Sequence, residues 1–488
     1  MQPKSDLLKR RFEKVEELRA KGLDPYPYSF SRTHLSDQII QDAHSLMASE
    51  QAVRIAGRLV SVRGHGRSNF AHLLDGAGKI QIYLRQEEVG EEPFALFRLL
   101  DIGDIIGLWG SVFKTKTGEV TVRVQGYSLL AKSLRSLPEK WHGLRDKEIR
   151  YRQRYLDLIT NLQVRELFQR RSQITGAVRR FLDDRGFLEV ETPVLQPIYG
   201  GAFAEPFVTR HKALGMRLFL RIADELYLKR LIIGGFDRVY ELSKNFRNEG
   251  IDRDHNPEFT LLELYQAYAD YGDIMQLVEE MISHVAQEVV GSLQIKYGEH
   301  ALDLVPPWKR ISFFDALAQR LGQDVSQWSE EQLKELLSRH QVEVRPGTGR
   351  GRLLEALFDA LVEPDLIQPT FVVDYPLESS PLAKRHRERA DLAERFELFV
   401  AGKELANAFT ELNDPFDQRR RFQEQAKLRR AGDHQAQVID EDFLRALEYR
   451  MPPTGGLGVG IDRVIMLLTN APSIRDVILF PHMRREKF

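Results

Sequence analysis

At 488 residues, with 42% hydrophobic and 29% charged side chains, the chain has the composition of a globular protein and is too long for one core, so two or three domains are expected. A formal net charge of −1 gives no global pull toward nucleic acid, and the absence of cysteine excludes disulfides, thiolate metal sites and cysteine nucleophiles while fitting a reducing cytoplasm. No apolar run is long enough to span a bilayer, and the stretch from Met1 to Leu8, which carries Asp6 and no apolar core, shows no export signal, so no membrane partner is expected.

Residues 4–21 predict a helix with Leu8, Phe12 and Val15 on one face and Arg10, Lys14 and Lys21 on the other. The spacing favours a surface helix docked by its apolar face, although a basic face beside an RNA-binding module is also able to touch phosphate. Pro25 and Pro27 open a linker, so residues 1–50 read as an N-terminal helix and linker. From Val53 to about Leu130 the period changes to two: Ile80, Ile82 and Leu84 alternate with Gln81, Tyr83 and Arg85, and Val120, Val122 and Val124 with Thr121, Arg123 and Gln125. Turns are supplied by Asp75-Gly76-Ala77-Gly78 and Lys116-Thr117-Gly118. About five short strands predict that residues 51–145 form a small Greek-key barrel, with the oligonucleotide-binding (OB) fold as first choice. Phe70, Gln81 and Arg63 are the candidates for base stacking, edge reading and phosphate contact. Taken alone, an aromatic on a strand is more often core than base platform, so the barrel by itself says only that something is bound.

Arg145 to Leu158 is a basic linker, with Arg145, Lys147, Arg150, Arg152 and Arg154, entering a second unit at 146–488. From residue 165 onward helices and strands alternate without the βαβ rhythm of a parallel sheet. Strands are predicted at 217–222, 239–247, 258–265, 397–400 and 404–412, so an α+β unit with an antiparallel sheet flanked by helices fits best. A largely helical insert at about 310–365 has no assignable chemistry, and there are no internal repeats.

Nothing in the chain is a P-loop. Gly76-Ala77-Gly78-Lys79 has Leu73 where the motif needs glycine and Ile80 where it needs Ser or Thr. Strand parity is more informative. Phe259, Leu261, Glu263 and Tyr265 share one face, with Thr260, Leu262 and Leu264 behind them. Asn407, Phe409 and Glu411 share another, backed by Ala408, Thr410 and Leu412. A carboxylate on an enclosed face needs a partner. Exposed strand faces also carry Glu and Asn, so spacing alone leaves a binding site and a solvated face both open.

Three separated motifs decide between them. Gly186-Phe187-Leu188-Glu189-Val190-Glu191-Thr192-Pro193 comes first. Phe246-Arg247-Asn248-Glu249-Gly250, followed by His255-Asn256-Pro257-Glu258-Phe259, is second, and Gly456-Leu457-Gly458-Val459-Gly460-Ile461-Asp462-Arg463 is third. In this order they resemble the three signatures of class II aminoacyl-tRNA synthetases, and the resemblance covers nearly the whole chain. Within the class, the run from Arg221 to Arg230 and the run from Asn407 to Asp414 resemble the lysyl-tRNA synthetase family. Asp224 stands where that family is expected to have proline, a change that alters the helix start without moving Glu225 out of the site.

The resemblance implies an enzyme that uses ATP to convert L-lysine to lysyl-adenylate and then transfers lysine to the terminal ribose of tRNA(Lys). It assigns Arg247 to the α-phosphate, with Glu249, His255 and Asn256 nearby, Phe259 stacked on adenine and Arg463 at the γ-phosphate end. Lysine's ammonium groups fall to Glu225, Glu263 and Glu411, with Tyr265 and Asn407 completing the hydrogen bonds and Phe409 packing the aliphatic stem. Glu397 and Glu404 match the positions that hold Mg2+. The barrel is expected to read the anticodon through Phe70 and Gln81, the family's arginine aligning with Val62 or Arg63, and the first motif implies a homodimer. The rivals are an aspartyl or asparaginyl relative, a ligase that attaches lysine to protein, whose kind lacks the barrel, and a nucleic-acid-binding protein on an inactive synthetase fold, which loss of Arg247, Arg463 or the glutamates would have signalled. Leu242-Ser243-Lys244 faintly resembles the lysine motif of class I synthetases, but its partner histidine signature is missing.

Overall fold

The computed structural model describes residues 6–138, 144, 146–344, 347–433 and 435–485; residues 4–5 of the expected first helix and Arg145 of the basic linker lie outside them. The chain divides into two compact units, Met1–Arg145 and Asp146–Phe488.

In the first unit the opening helix runs Asp6–Ala20 and buries Val15 and Leu18, but it also buries Arg11. The Arg11 guanidinium donates to the backbone carbonyls of Ile102, Ser133 and Arg135. Lys14 pairs with Asp101 at 2.7 Å. Of the basic face for which phosphate contact was the other reading, Lys14 is thus paired within the unit, and Lys21 lies beyond the helix end. The barrel closes from five strands in the neighbour order Val53–His65, Ser68–Leu74, Lys79–Arg85, Val120–Ala131, Ile105–Lys114, with the last pairing back onto the first. Ile80, Ile82, Leu84, Val122 and Val124 point inward, none more than 3% exposed, as the alternation requires. The two glycine turns sit between the strands they were expected to join.

The second unit is built on an eight-stranded sheet. Its spatial order is Lys309–Ser312, Thr370–Pro376, Leu392–Phe399, Glu404–Thr410, Thr454–Gly460, Glu258–Ala267, Arg238–Phe246, Leu188–Glu189. The six central strands are antiparallel, and only the two edge pairings are parallel. The edges depart from the all-antiparallel expectation because long connections, including the helical insert, return the chain to the edge in the same direction. Behind the sheet lies the helix Tyr271–Val289, whose Asp270 cap and Asp273 form a reciprocal capping box. Its residues Ile274, Met275, Val278, Met281, Ile282 and Val285 make one stripe at helical spacing, clustered with Leu262, Leu264, Ala406, Ala408, Leu457 and Val459 from the back of the central strands. The back is thereby sealed and the opposite face is left for the site. The insert carries the helices Phe313–Leu321, Glu330–Arg339 and Arg350–Leu361, with a core of its own that includes Val372, Tyr375 and Phe399 from the sheet edge. Among the described residues no helix is long and apolar enough to cross a membrane.

Close backbone approach in the barrel gives a direct test of this packing. A Cβ on Gly110 would lie 1.8 Å from the carbonyl oxygen of Arg123 on the paired strand. Backbone cannot rotate away as a side-chain tip can, so Gly110→Ala is expected to destabilise the first unit by about 1–3 kcal/mol. Scanning calorimetry of the full chain should show an earlier first transition, and an unchanged thermogram would refute the close approach.

Candidate active site

The front face of the central strands forms the floor of a cavity of about 390 Å³ in the second unit. All fourteen site residues expected in this unit line it: Glu225, Arg247, Glu249, His255, Asn256, Phe259, Glu263, Tyr265, Glu397, Glu404, Asn407, Phe409, Glu411 and Arg463. Glu225 and Arg463, the extremes, are 238 positions apart, and strand pairing brings the set together. Tyr265 lies opposite Gly456, and Gly456 opposite Phe409, so the glycine strand separates the two polar strands. Its lack of side chains leaves room for theirs: a Cβ on Gly456 would meet Glu411 Oε1 at 1.9 Å and the Tyr265 ring at 2.5 Å.

One end of the cavity is acidic and closed. Glu225, Glu263 and Glu411 are 5%, 4% and 1% exposed. Glu263 Oε1 accepts the backbone N–H of Asp224 at 3.0 Å, and its Oε2 accepts the Tyr265 hydroxyl at 3.3 Å. Burial is the largest influence on Glu263 and raises its carboxyl well above the usual range, helped by the nearby charges of Asp224 and Glu225 and opposed by the Asp224 N–H and Arg247. Burial likewise pushes Glu225 and Glu411 upward, each opposed by the Lys229 ammonium. It lifts the Tyr265 phenol well above its usual value, so this hydroxyl keeps its proton and donates. Glu411 Oε1 is buried without a hydrogen-bond partner, a vacancy suited to a cationic donor.

Asp224 sits at the start of the helix Glu225–Ile233, and Glu225 stays in the cavity. Its side chain does not cap that helix. It accepts instead from Ser243 Oγ at 2.5 Å and pairs with Arg221 at 3.1 Å, and burial raises it to about 6. The residue also does what proline cannot, since its N–H is the donor that orients Glu263.

The other end is more open and carries the cations. Arg463, in the first turn of the helix Ile461–Thr469, donates to the Glu404 carbonyl at 2.6 Å and approaches Glu404 Oε2 and His255 Nε2, each at 3.3 Å. The Arg247 guanidinium lies 5.0 Å from the centroid of the Phe259 ring, so it rests on the same ring that is expected to stack on a base. Asn256 is buried with Oδ1 unpartnered. The two residues expected to hold a metal differ. Glu397 is engaged by Arg395 at 2.5 Å, Tyr375 at 2.8 Å and Asn407 at 3.2 Å, and burial, opposed by Arg395, brings it to about 8. Glu404 is the more exposed of the pair.

The sequence reading missed Lys229 and Arg395. Lys229 follows Glu225 at i+4, a spacing that ordinarily marks a solvated helix pair. Only the flanking Leu226, Leu228 and Ile232, all buried, hinted that this face turns inward. Arg395 is 9% exposed and ties Glu397 to Glu355 from the insert.

On the barrel, Phe70 stands 4.5 Å from Tyr83, which lies 6.0 Å from Phe113, and Arg123 covers Phe113 at 5.0 Å. Phe70 thus belongs to a half-exposed aromatic row that the sequence reading had reduced to one residue. Gln81 donates to Glu119 at 2.7 Å and accepts from Thr121 at 2.8 Å, while Arg63 is exposed.

Comparison with known proteins gives this arrangement its context. Residues 146–484 match the family described as tRNA synthetases class II (D, K and N), and residues 53–130 match the OB-fold nucleic acid binding domain. The chain is 56% identical over 485 residues to a lysine–tRNA ligase of Carboxydothermus hydrogenoformans, with 98% of each chain covered. It is 53% identical to the lysine–tRNA ligase of Moorella thermoacetica, covering 99% of each, and 52% identical to that of Bacillus subtilis, covering 99% of this chain and 98% of the relative. The chain belongs to the class II tRNA synthetases of the aspartate, lysine and asparagine group, with an OB-fold domain ahead of the catalytic unit.

Proposed function

We infer that the chain is a lysine–tRNA ligase, which activates L-lysine with ATP and transfers it to tRNA(Lys). The observation that carries this reading is the cluster of Glu225, Glu263 and Glu411 at the buried end of the cavity. An aspartate side chain placed there would face carboxylates, and an asparagine would leave them unpaired, whereas lysine brings an ammonium group at each end of a stem that fits beside Phe409. We propose that Glu225 takes the α-ammonium and that Glu263, Glu411, Tyr265 and Asn407 surround the side-chain ammonium. At the open end, Arg247 would neutralise the α-phosphate, Arg463 the γ-phosphate end, and Phe259 would carry the adenine, with Glu249, His255 and Asn256 beside it.

With these contacts the lysine carboxylate attacks the α-phosphorus in line, the bond to the bridging oxygen breaks, and pyrophosphate leaves with its electron pair. The terminal ribose hydroxyl of tRNA then attacks the activated carbonyl and AMP departs. No side-chain nucleophile is involved, and positioning and charge neutralisation carry the rate. Glu397 and Glu404 both line the cavity and feel each other's charge, so they would hold a Mg2+ ion whose remaining ligands come from phosphate oxygens. Such an ion would supply neutralisation of the pyrophosphate charge.

Three further points belong to the same proposal. The aromatic row at Phe70, with Gln81 and Arg63, would contact anticodon bases on an OB domain taken as residues 51–145, the catalytic domain being 146–488. Homodimerisation is supported by three exposed apolar residues of the first motif region: Leu188, 47% exposed on the edge strand of the eight-stranded sheet, and Val194 and Leu195, 38% and 48% exposed at the edge of a separate three-stranded sheet. Sedimentation equilibrium should give twice the 56.4 kDa chain mass, and Leu188→Asp should shift it toward the monomer. A cytoplasmic location follows from the substrate and the lack of cysteine, and cell fractionation checks it.

Amino-acid-dependent ATP–pyrophosphate exchange without tRNA tests the central claim. Lysine alone should support exchange, and Glu263→Gln should lower its kcat/KM by roughly 10²–10³-fold, the loss typical of an unpaired buried charge. Exchange with aspartate or asparagine, or near-normal turnover of Glu263→Gln, would overturn the assignment. The raised Glu263 carboxyl adds a pH dependence. Below its raised pKa the group is neutral and cannot pair with an ammonium, so lysine binding should strengthen as pH rises and should release protons. Calorimetric titration of lysine across a range of pH in buffers of different ionisation enthalpy should reveal that release; identical heats at every pH would count against Glu263 as the acceptor.

A further inference from the structure

Lys229 has no part in the chemistry just described, yet it is the only ammonium in contact with the acidic end of the cavity among the described residues. Its side chain is fully buried. Its Nζ lies 2.5 Å from Glu225 Oε1 and also pairs with Glu411 Oε2. The rings of Phe409, Tyr265 and Phe443 surround it, with centroids 5.3, 6.0 and 6.0 Å away. A lysine is seldom fully buried, and here two carboxylates and three ring faces compensate its desolvation.

We propose that Lys229 is a positioning residue for lysine recognition: it bridges Glu225 and Glu411 and lowers the cost of ionising them, so that the charge of the pocket complements a diammonium substrate. The proposal rests on the lysine-activation reading above. With substrate bound and all three acids ionised, three carboxylates and one internal ammonium leave two negative charges, one for each ammonium of the substrate. The carboxylate oxygens are divided to suit. Glu411 gives Oε2 to Lys229 and keeps Oε1 free of partners beside the cavity, and Glu225 gives Oε1. Without the Lys229 charge, two buried carboxylates would face each other and Glu263 uncompensated, and the easiest relief would be to take up protons.

The other charged groups around Lys229 do not substitute for it. Asp224 precedes its helix and is itself anionic, paired with Arg221. The Glu258–Ala267 strand contributes Glu263 and the protonated Tyr265 hydroxyl, and the helix Glu441–Glu448 contributes only the Phe443 ring. Arg247 acts on Glu263 and is not among the partners of Glu225 or Glu411.

The test compares Lys229→Met with Lys229→Arg in the full-length enzyme, with lysine-dependent exchange by the wild type established first. Failure of wild-type exchange would sink the parent reading, whereas the variants address only Lys229. In Lys229→Met, KM for lysine should rise about tenfold or more while KM for ATP stays near native, and the acid limb of kcat/KM for lysine should move up by about one pH unit or more. The direction follows from removing a cation that lowers both carboxyls. Lys229→Arg, which keeps the charge, should return the limb to its native position. An unmoved limb in Lys229→Met, or a KM increase equal at every pH, would assign Lys229 to packing alone and overturn the proposal. If Lys229→Met does not fold, Lys229→Gln is read in the same way. Failure of both to fold, with Lys229→Arg native in KM and limb, would also mark the role as structural.

Discussion

The catalytic unit is arranged around three carboxylates that are almost fully buried at one end of its cavity. An ionised group taken out of water costs several kcal/mol unless a partner or a hydrogen bond compensates it. Glu225, Glu263 and Glu411 find that compensation in unequal amounts. Glu263 receives a backbone N–H and a phenol, Glu225 and Glu411 share one internal ammonium, and Glu411 Oε1 is left without any donor. The shortfall is the binding signal, because a ligand that supplies two ammonium groups completes what the protein leaves incomplete.

Rigid sheet geometry is what keeps that shortfall from relaxing. The acids project from the Glu258–Ala267 strand, from just beyond the Glu404–Thr410 strand and from a helix start, with the glycine strand between the first two. On the reverse side, the helix Tyr271–Val289 packs its apolar stripe against Leu262, Leu264, Ala408 and Leu457. The strands therefore cannot move to bring a stray donor to Glu411 without opening the main core. Substituents on Gly456 are excluded by the same crowding, which ties the third sequence motif to the acidic end of the cavity as well as, through Arg463, to the cationic end.

Parity made much of this legible. Once 258–265 and 404–412 read as strands, Phe259, Glu263 and Tyr265 had to share a face, as did Asn407, Phe409 and Glu411, and the barrel's inward Ile80, Ile82 and Leu84 followed from the same rule. What stayed hidden were groups whose local pattern imitates the surface. Glu225 and Lys229 at i, i+4 look like a solvated pair, and Arg11 sits in a helix rich in charge. Arg395 lies in a strand where its tertiary partner Glu355 is 40 residues away. Burial of a charge depends on which elements meet, and a single sequence window does not contain that information. The parallel edge pairings escaped for the same reason, since they depend on where long connections return.

The two ends of the cavity also divide the work by their exposure. At the acidic end, proposed to hold lysine, the groups are buried and prepositioned, so discrimination would rest on the penalty of leaving charges unpaired. At the phosphate end Glu249 and His255 are exposed, and Arg463 is held by Glu404 and faces His255. Arg247 rests on Phe259, and Arg395 occupies Glu397. Arg463 and Glu397 are thus already paired within the protein, whereas Asn256 Oδ1 has no partner. On the proposed assignment a nucleotide would exchange some of these contacts for new ones, and selectivity would rest where the substrates differ, at the amino-acid side chain. The triphosphate, the group common to the family of reactions, would meet the more exposed end.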